Sequence, residues 1–136
     1  MPRPPLPDAV RSLLARPNPA VMATLAADGR PVSVATWYLL EEDGTVLLNL
    51  DAGRARPAHL RRDPRVSLTA LADDDWYTHV SLQGRVDALV DDEGLVDIDR
   101  LSRHYTGRNY PVRDRPRVSA RVVVERWHGW GAAQAD

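Results

Sequence analysis

The sequence predicts a mainly β fold with minor α, in which about six mostly antiparallel strands close into a small barrel. Apolar and β-branched runs recur along the chain, and several alternate with polar residues at the period of a half-buried strand. Two gaps between such runs carry the Asp-Gly pair of tight hairpin turns, at 28–29 and 43–44. Helical spacing is confined to short segments, and the chain of 136 residues suits a single domain, 1–136. Closing the sheet into a barrel removes its exposed edges.

The first third of the chain predicts a helix and then three strands. Residues 1–18 hold a proline-rich start and apolar residues at helical spacing: Leu6, Val10, Leu13 and Leu14. Prolines within 16–19 end that helix, because they remove backbone donors and restrict the residues before them. Residues 20–50 then predict an antiparallel meander, with the sequences ADGR and EEDG as its turns.

The rest of the chain predicts three more strands around two helices. Pro57 suits the first turn of a short helix, which we expect to begin there. The strands are predicted at 65–72, 76–89 and 117–131, and in the last one Val118, Ala120, Val122 and Val124 share a face. Residues 91–105 predict a helix weakened by Gly94 in its first turn, and a loop rich in glycine and proline follows it.

Composition excludes several classes of function. The formal net charge is −1 and no cysteine occurs, so nucleic acid is not an expected partner and thiolate chemistry is absent. No apolar run approaches the roughly 18 residues of a membrane span, which predicts a cytoplasmic protein without a membrane partner. The four histidines lie far apart in the sequence, so no metal site is expected: His59, His79, His104 and His128.

One segment concentrates positive charge. Residues 53–66 hold five arginines against one acid, Asp63. Two of them, Arg54 and Arg56, precede the helix predicted from Pro57, and a helix N-terminus with guanidinium groups beside it is suited to a phosphate. The alternative is that the five arginines form a solvated face paired with nearby carboxylates. Exposed pairs of that kind contribute only about 0–1 kcal/mol each, so stability alone explains the cluster poorly.

Four segments, in this order, resemble the split-barrel flavin-binding family that includes pyridoxamine phosphate oxidases. They read ATLAADGRPVSVATWYLL, VLLNLDAGRARPAHLRRDPRVSL, WYTHVSLQGRV and RVVVERWHGWG. The resemblance covers residues 21–131 and is nearest to the branch of small coenzyme F420-dependent enzymes. It implies a six-stranded antiparallel split barrel that forms a homodimer, with cofactors at the subunit interface.

The resemblance also implies the cofactor-binding residues. Arg54 and Arg56 would hold the cofactor phosphate, and the segments beside the flavin-like ring would be Ser33, Val34, Ala35 and Thr36 together with Leu48, Asn49 and Leu50. Trp76 and Tyr77 fall where the partner subunit approaches the ring. The family usually has lysine where this chain has Arg56, and often a residue with a backbone donor where it has Pro57.

The function implied is hydride transfer from reduced F420 to an unsaturated or heteroaromatic small molecule. The cofactor carries that chemistry, so no catalytic side chain is assigned, although Tyr105, Tyr110 and His79 are candidates for proton donation. Two alternatives stay open: an FMN-dependent oxidoreductase of the pyridoxamine phosphate oxidase type, and a protein that binds a flavin or tetrapyrrole without turnover.

Overall fold

The computed structural model describes residues 1–134, and strands are their commonest secondary structure. In chain order the elements are α1 (Asp8–Leu14), β1 (Ala20–Leu25), β2 (Pro31–Thr36), β3 (Leu39–Leu40), β4 (Val46–Asp51), α2 (Ala55–Arg62), β5 (Arg65–Ala72), β6 (Asp75–Asp91), α3 (Val96–Thr106) and β7 (Arg117–Trp130). Short 3-10 turns precede α3, at Glu93–Leu95, and follow β7, at Gly131–Ala133. The mainly β split-barrel class predicted from the sequence is confirmed.

The strands form one antiparallel sheet in the order β2-β1-β5-β6-β7-β4-β3. This corrects two predictions. The sheet has seven strands and not six, because the chain leaves β2 at Trp37 and pairs again only at Leu39–Leu40. Both predicted hairpin turns are present, since β1 pairs with β2 and β3 pairs with β4, but the meander predicted within 20–50 is wrong in its middle strand, because β2 and β3 lie at opposite edges of the sheet.

Tyr38 explains why the chain crosses from one edge to the other. Its side chain is fully buried, and its hydroxyl accepts a hydrogen bond of 2.8 Å from the side-chain amide of Asn18, which is itself buried. Because the Tyr38 side chain is buried, β2 ends before it and the chain passes to the other edge of the sheet. β4 then finds its main partner in β7, which lies about 70 residues further along the chain.

The sheet curls around a single core. β6 pairs with both β5 and β7, and its register shifts beside Gly84, where a Cβ would collide with the backbone carbonyl of Val123. The curl lets strands that are not neighbours in the sheet share one interior, as Val46 of β4 and Leu68 of β5 do. The predicted inward face of β7 is confirmed, because Val118, Ala120, Val122 and Val124 are all buried.

The helices cover the open parts of the sheet. α1 confirms the predicted N-terminal helix and buries Val10, Leu13 and Leu14. α2 begins at Ala55, two residues before the predicted start, so Pro57 is its third residue and Arg56 lies within its first turn. α3 begins only at Val96, because Gly94 takes a positive φ of 70° that breaks the helix predicted from 91. None of these helices within residues 1–134 is long and apolar enough to cross a membrane.

Candidate functional site

A cavity of about 590 Å³ opens where the two edges of the sheet approach each other. One side of it is supplied by β1, β2, α3 and the loop after α3, and the other side by β4, β7 and α2. Tyr110 of the loop contacts Arg117 of β7, where the two sides meet. Its lining residues are Pro17, Pro19, Ala20, Ala35, Thr36, Trp37, Asn49, Arg56, Ile98, Leu101, Tyr105, Tyr110 and Arg117. One wall is therefore cationic and the facing wall aromatic and apolar.

Arg56 supplies the first cation. Its position in the first turn of α2 directs the half-buried guanidinium into the cavity, where Nη1 lies 3.2 Å from the sulfur of Met22. Burial lowers the pKa of Arg56, and the positive charges of Arg117 and Arg54 lower it further. Within residues 1–134 no carboxylate oxygen lies within 4.0 Å of this guanidinium. A desolvated charge without a partner is unfavourable unless a ligand supplies the anion.

Arg117, the first residue of β7, supplies the second cation. Its Nε donates to the side-chain oxygen of Asn49 at 2.6 Å, and its guanidinium lies 4.9 Å from the centre of the Tyr110 ring. The amide of Asn49 in turn donates to the buried carboxylate of Asp92 at 3.0 Å. In the part of the chain that the structure describes, Arg117 also has no carboxylate within 4.0 Å.

Three aromatic side chains form the facing wall. The rings of Trp37 and Tyr105 stack at 5.3 Å with an angle of 14° between their planes, and Tyr110 meets Trp37 edge to face at 6.1 Å. The loop after α3 is held in place by Asp99, which accepts the backbone N–H of Tyr110 and a guanidinium hydrogen of Arg113. Flat rings arranged in this way suit a planar ligand.

The two tyrosines of this wall differ in what their hydroxyl groups do. The Tyr105 hydroxyl donates to the backbone oxygen of Asn18 at 2.6 Å, and burial raises the pKa of Tyr105. Tyr105 is therefore held as a neutral structural donor. The hydroxyl of Tyr110 has no hydrogen-bond partner among residues 1–134. His79 lies outside the cavity, with its Nδ1 2.9 Å from the backbone oxygen of Tyr77.

Four of the residues predicted for the cofactor reach the cavity: Ala35, Thr36, Asn49 and Arg56. The others lie elsewhere in the protomer. Ser33 and Val34 are exposed on the edge strand β2, whereas Leu48, Leu50 and Pro57 are buried in the core. Trp76 and Tyr77 stack on each other at 4.3 Å beside the β5–β6 turn, and both are more than 60% exposed.

Arg54 and Arg56 were predicted as a pair, but their surroundings differ. Arg54 is the N-cap residue of α2 and its side chain is exposed, with its Nε 4.0 Å from the carboxylate of Asp51. Asp51 is already engaged by Arg115 at 2.7 Å. Arg56 alone of the two lines the cavity.

The sequence analysis did not identify seven residues of the lining: Pro17, Pro19, Ala20, Trp37, Ile98, Leu101 and Arg117. Arg117 carries a sequence signal, since it opens a strand whose alternate residues are apolar and buried. Its partner Asn49 lies 68 residues away in the chain, so local patterning does not reveal the contact.

The curled sheet and its short helices define a split-barrel protein. Residues 6–131 match the family model described as pyridoxamine 5'-phosphate oxidase. The chain belongs to this family. Among curated proteins, no sequence matches the chain significantly.

Several solved structures share the fold. A protein described as an F420 reductase is 23% identical and has a TM-score of 0.79, with 90% of this chain and 98% of that chain covered. A conserved hypothetical protein from Mycobacterium tuberculosis is 26% identical with a TM-score of 0.72, and the match covers 94% and 86% of the two chains. General Stress Protein 26 from Bacillus anthracis is 13% identical, with a TM-score of 0.67 over 90% and 92%.

Proposed function

We propose that the protein is a homodimeric F420H2-dependent reductase that transfers a hydride to an unsaturated or heteroaromatic small molecule. One observation carries the proposal: an unpaired, half-buried guanidinium, that of Arg56, faces the same cavity as the aromatic wall. A phosphate beside a planar ring satisfies both features at once. Membership of the pyridoxamine 5'-phosphate oxidase family and the likeness to an F420 reductase support a flavin-type cofactor.

The residues present fit such a cofactor. Arg56 would take the phosphate, together with the exposed Arg54 two residues before it, and Ala35, Thr36 and Asn49 would border the ring. β2 is an edge strand, so alternate backbone groups along Ser33 to Thr36 have no partner strand. Those free N–H and C=O groups are suited to the polar edge of a deazaflavin, which explains how residues whose side chains point elsewhere would contribute.

When bound, reduced F420 supplies the hydride, and the side chains of this protein hold and shield the reactants. The wall of Trp37 and Tyr105 excludes water from one side of the cavity. Tyr105 keeps its proton, because its hydroxyl is fixed to Asn18 and its pKa is raised. Of the three candidates for proton donation, Tyr110 faces the cavity with a free hydroxyl, so we assign any proton transfer to substrate to that group.

A fluorescence titration with F420 tests the cofactor. We expect saturable binding, and we expect the Arg54→Ala, Arg56→Ala double variant to bind at least about tenfold more weakly, because hydrogen bonds to charged groups contribute on the order of 1.5–3 kcal/mol. The double variant Arg61→Ala, Arg62→Ala is the matched control. It removes two charges from the exposed end of the same helix. Absence of F420 binding by the unmodified protein would overturn the proposal.

Two further measurements separate the alternatives. Competition between FMN and F420 for the same preparation shows which cofactor binds more tightly, and a preference for FMN assigns the protein to the FMN-dependent class. Oxidation of F420H2 is then followed with a panel of enones, quinones and heteroaromatic compounds. Tight cofactor binding without oxidation across this panel would indicate a binding protein.

The outer face of the sheet supports the homodimer. From β2 to β6 this face carries small or hydroxyl side chains in register: Ser33, Ala35, Val21, Ala23, Ser67, Thr69 and Ser81. Val21 is 39% exposed on this face. The part of this face around Val21 is uncharged, although Arg65 and Arg85 lie further along it, and an uncharged patch beside an edge strand favours association with another copy. Such a copy would also explain the exposed Trp76 and Tyr77 as contacts to the other site.

Analytical ultracentrifugation tests the homodimer. We expect a dimer for the unmodified protein and a shift toward monomer for Val21→Glu, which places a charge in the centre of the proposed interface. Val90→Glu is the control, because Val90 is exposed near the end of β6 and lies away from β1 and β2. A monomeric unmodified protein, or a dimer that Val21→Glu leaves intact, would contradict this part of the proposal.

A further inference from the structure

The cofactor proposal assigns no role to Arg117, although more contacts hold its guanidinium in place than hold that of Arg56. Its Nε is bound to Asn49 and its plane rests against Tyr110. Nη2 lies 3.4 Å from the backbone oxygen of Asn49, whereas Nη1 has no hydrogen-bond partner in residues 1–134. An arginine anchored through Nε presents its remaining donors in a fixed direction, which is the geometry that a two-oxygen anion requires.

A buried network sets the position of Arg117. The carboxylate of Asp92 accepts the side-chain amide of Asn49 and the backbone N–H groups of Asp97 and Ile98, at 2.9–3.0 Å. Because the side-chain nitrogen of Asn49 donates to Asp92 and to Ser119, the Asn49 side chain presents its oxygen, and not its nitrogen, to Arg117. Ser119 completes the network, since its hydroxyl donates to Asp97 and lies 3.2 Å from the same amide.

The two cations of the cavity also act on each other. Arg117 lowers the pKa of Arg56, so the guanidinium groups are close enough to repel in a partly desolvated space. Asp51 offsets part of this repulsion, since it raises the pKa of Arg56 and its own pKa is lowered by Arg117, but its carboxylate is held by Arg115 at 2.7 Å. An anion that lies near both guanidinium groups would relieve the rest. Asp92, the nearest acid of the network, is turned away from the cavity by its bonds to Asn49 and to the start of α3.

We propose that Arg117 is the second arginine of an oxyanion site that it shares with Arg56, and that Asn49 and Asp92 are positioning residues for it. The ligand is a phosphate or carboxylate attached to a planar ring that rests on the wall of Trp37, Tyr105 and Tyr110. This inference takes the cavity to be the ligand site of the proposed function, and it adds a recognition residue from the opposite end of the chain.

Isothermal titration calorimetry of the unmodified protein with 2-naphthoate and with 2-naphthamide tests the site without any cofactor. The two probes have the same ring system and differ in the charged group. We expect the carboxylate to bind about tenfold more tightly than the amide, and we expect Arg117→Gln to abolish that preference. Arg121→Gln is the matched control, because it removes an arginine from the same strand that is paired with Asp87 on the surface. That variant should keep the preference.

F420 titrations of the same variants distinguish the source of the anion. If Arg117→Gln weakens F420 binding about tenfold, the anion is the cofactor's phosphate; if F420 affinity is unchanged while the naphthoate preference is lost, the anion belongs to the substrate. The inference is overturned if Arg117→Gln changes neither quantity, or if the unmodified protein binds neither probe nor F420. A protein that fails to bind F420 but retains an Arg117-dependent preference for naphthoate would overturn only the proposed function.

Asp92→Asn tests the positioning role. The substitution removes one acceptor, which releases Asn49 to turn its nitrogen toward Arg117, so the preference for carboxylate over amide should fall. A loss of folded protein lowers the number of sites for both probes equally and leaves the ratio of their affinities intact. An unchanged ratio in Asp92→Asn would remove Asn49 and Asp92 from the proposal.

Discussion

Many arginines at the surface differ from those of the cavity in the groups that their side chains contact. On the surface, five guanidinium groups lie 2.6–2.9 Å from a carboxylate, in the pairs Arg65–Asp63, Arg100–Glu41, Arg113–Asp99, Arg115–Asp51 and Arg121–Asp87. In the cavity, Arg56 contacts a thioether and Arg117 an amide oxygen. The chain has 19 acids for its 18 arginines, so the difference does not arise from a shortage of carboxylates. Exposed arginines such as Arg61, Arg62 and Arg108 also have no carboxylate within 4.0 Å in residues 1–134, so the burial of Arg56, and not the absence of an ion pair alone, sets the cavity apart.

The largest of the expected effects concerns cofactor affinity, and it tests whether Arg56 differs from the arginines at the surface. Arg56→Ala alone should weaken F420 binding about ten- to hundredfold, because it removes a charged donor from a partly desolvated site. Arg54→Ala should change the dissociation constant by about threefold at most, since that side chain is exposed and screened by solvent. If fluorescence titration shows equal effects for the two single variants, Arg56 does not differ from the arginines at the surface.

A second test uses pH to measure how much the surface ion pairs contribute to the stability of the protein. Three donors of Arg65, its backbone N–H among them, lower the pKa of Asp63 from 3.8 to about 2. A carboxyl group with a depressed folded-state pKa stabilises the protein above pH 3.8, and that contribution is lost as the pH falls toward 2. The pKa values of Asp51, Asp87 and Asp99 are also lowered by their arginines.

We therefore expect the urea midpoint to be level between pH 7 and about 5 and to fall steeply between about 4 and 2. Asp63→Asn should make that fall shallower while leaving F420 affinity at neutral pH unchanged. A midpoint with the same pH dependence in both proteins would show that the surface pairs contribute nothing to acid stability.

A third test measures whether the charge of Arg56 lowers the free energy of unfolding. Arg56→Met replaces a desolvated, repelled cation with an apolar side chain beside Met22, so the free energy of unfolding should rise by about 0.5 kcal/mol while F420 binding is lost. Urea denaturation at pH 7 measures the change. A loss of more than about 1 kcal/mol would mean that Arg56 serves the fold itself.

The smallest effect is expected from removing one surface pair. Arg121→Gln breaks an ion pair whose arginine side chain is 52% exposed, and the free energy of unfolding should change by no more than about 0.5 kcal/mol. The same urea experiment, repeated at 0.5 M salt, should show a still smaller difference because salt screens exposed charges. A larger change would show that surface pairs of this chain are structural elements of the sheet.

Much of the fold could be predicted because its signals are local. The alternation in β5 and β7 and the spacing of apolar residues in α1 gave the correct elements, since each depends on neighbours a few residues away. The prediction failed where a buried side chain overrode the pattern. Tyr38 interrupts an apolar run that reads as one strand, and the residues on its two sides belong to opposite edges of the sheet.

The candidate site was less predictable for the same physical reason. The arginine-rich segment was visible as a charge cluster, but charge alone does not show that Arg56 turns inward while Arg54 stays at the surface. The start of α2 at Ala55 decides that difference, and the prediction placed it at Pro57. The contact between Arg117 and Asn49 depends on the pairing of β4 with β7, which no local motif encodes.

The pairing of β4 with β7 has a consequence for the order in which the molecule assembles. Asn49 is made early, yet its hydrogen-bond partners Asp92, Arg117 and Ser119 follow 43 to 70 residues later. Contacts between such distant positions form slowly, because a long loop must close before they yield any stabilisation. β4 can therefore pair with β7 only after the residues from Arg117 onward have been synthesised, and the cavity forms after that point.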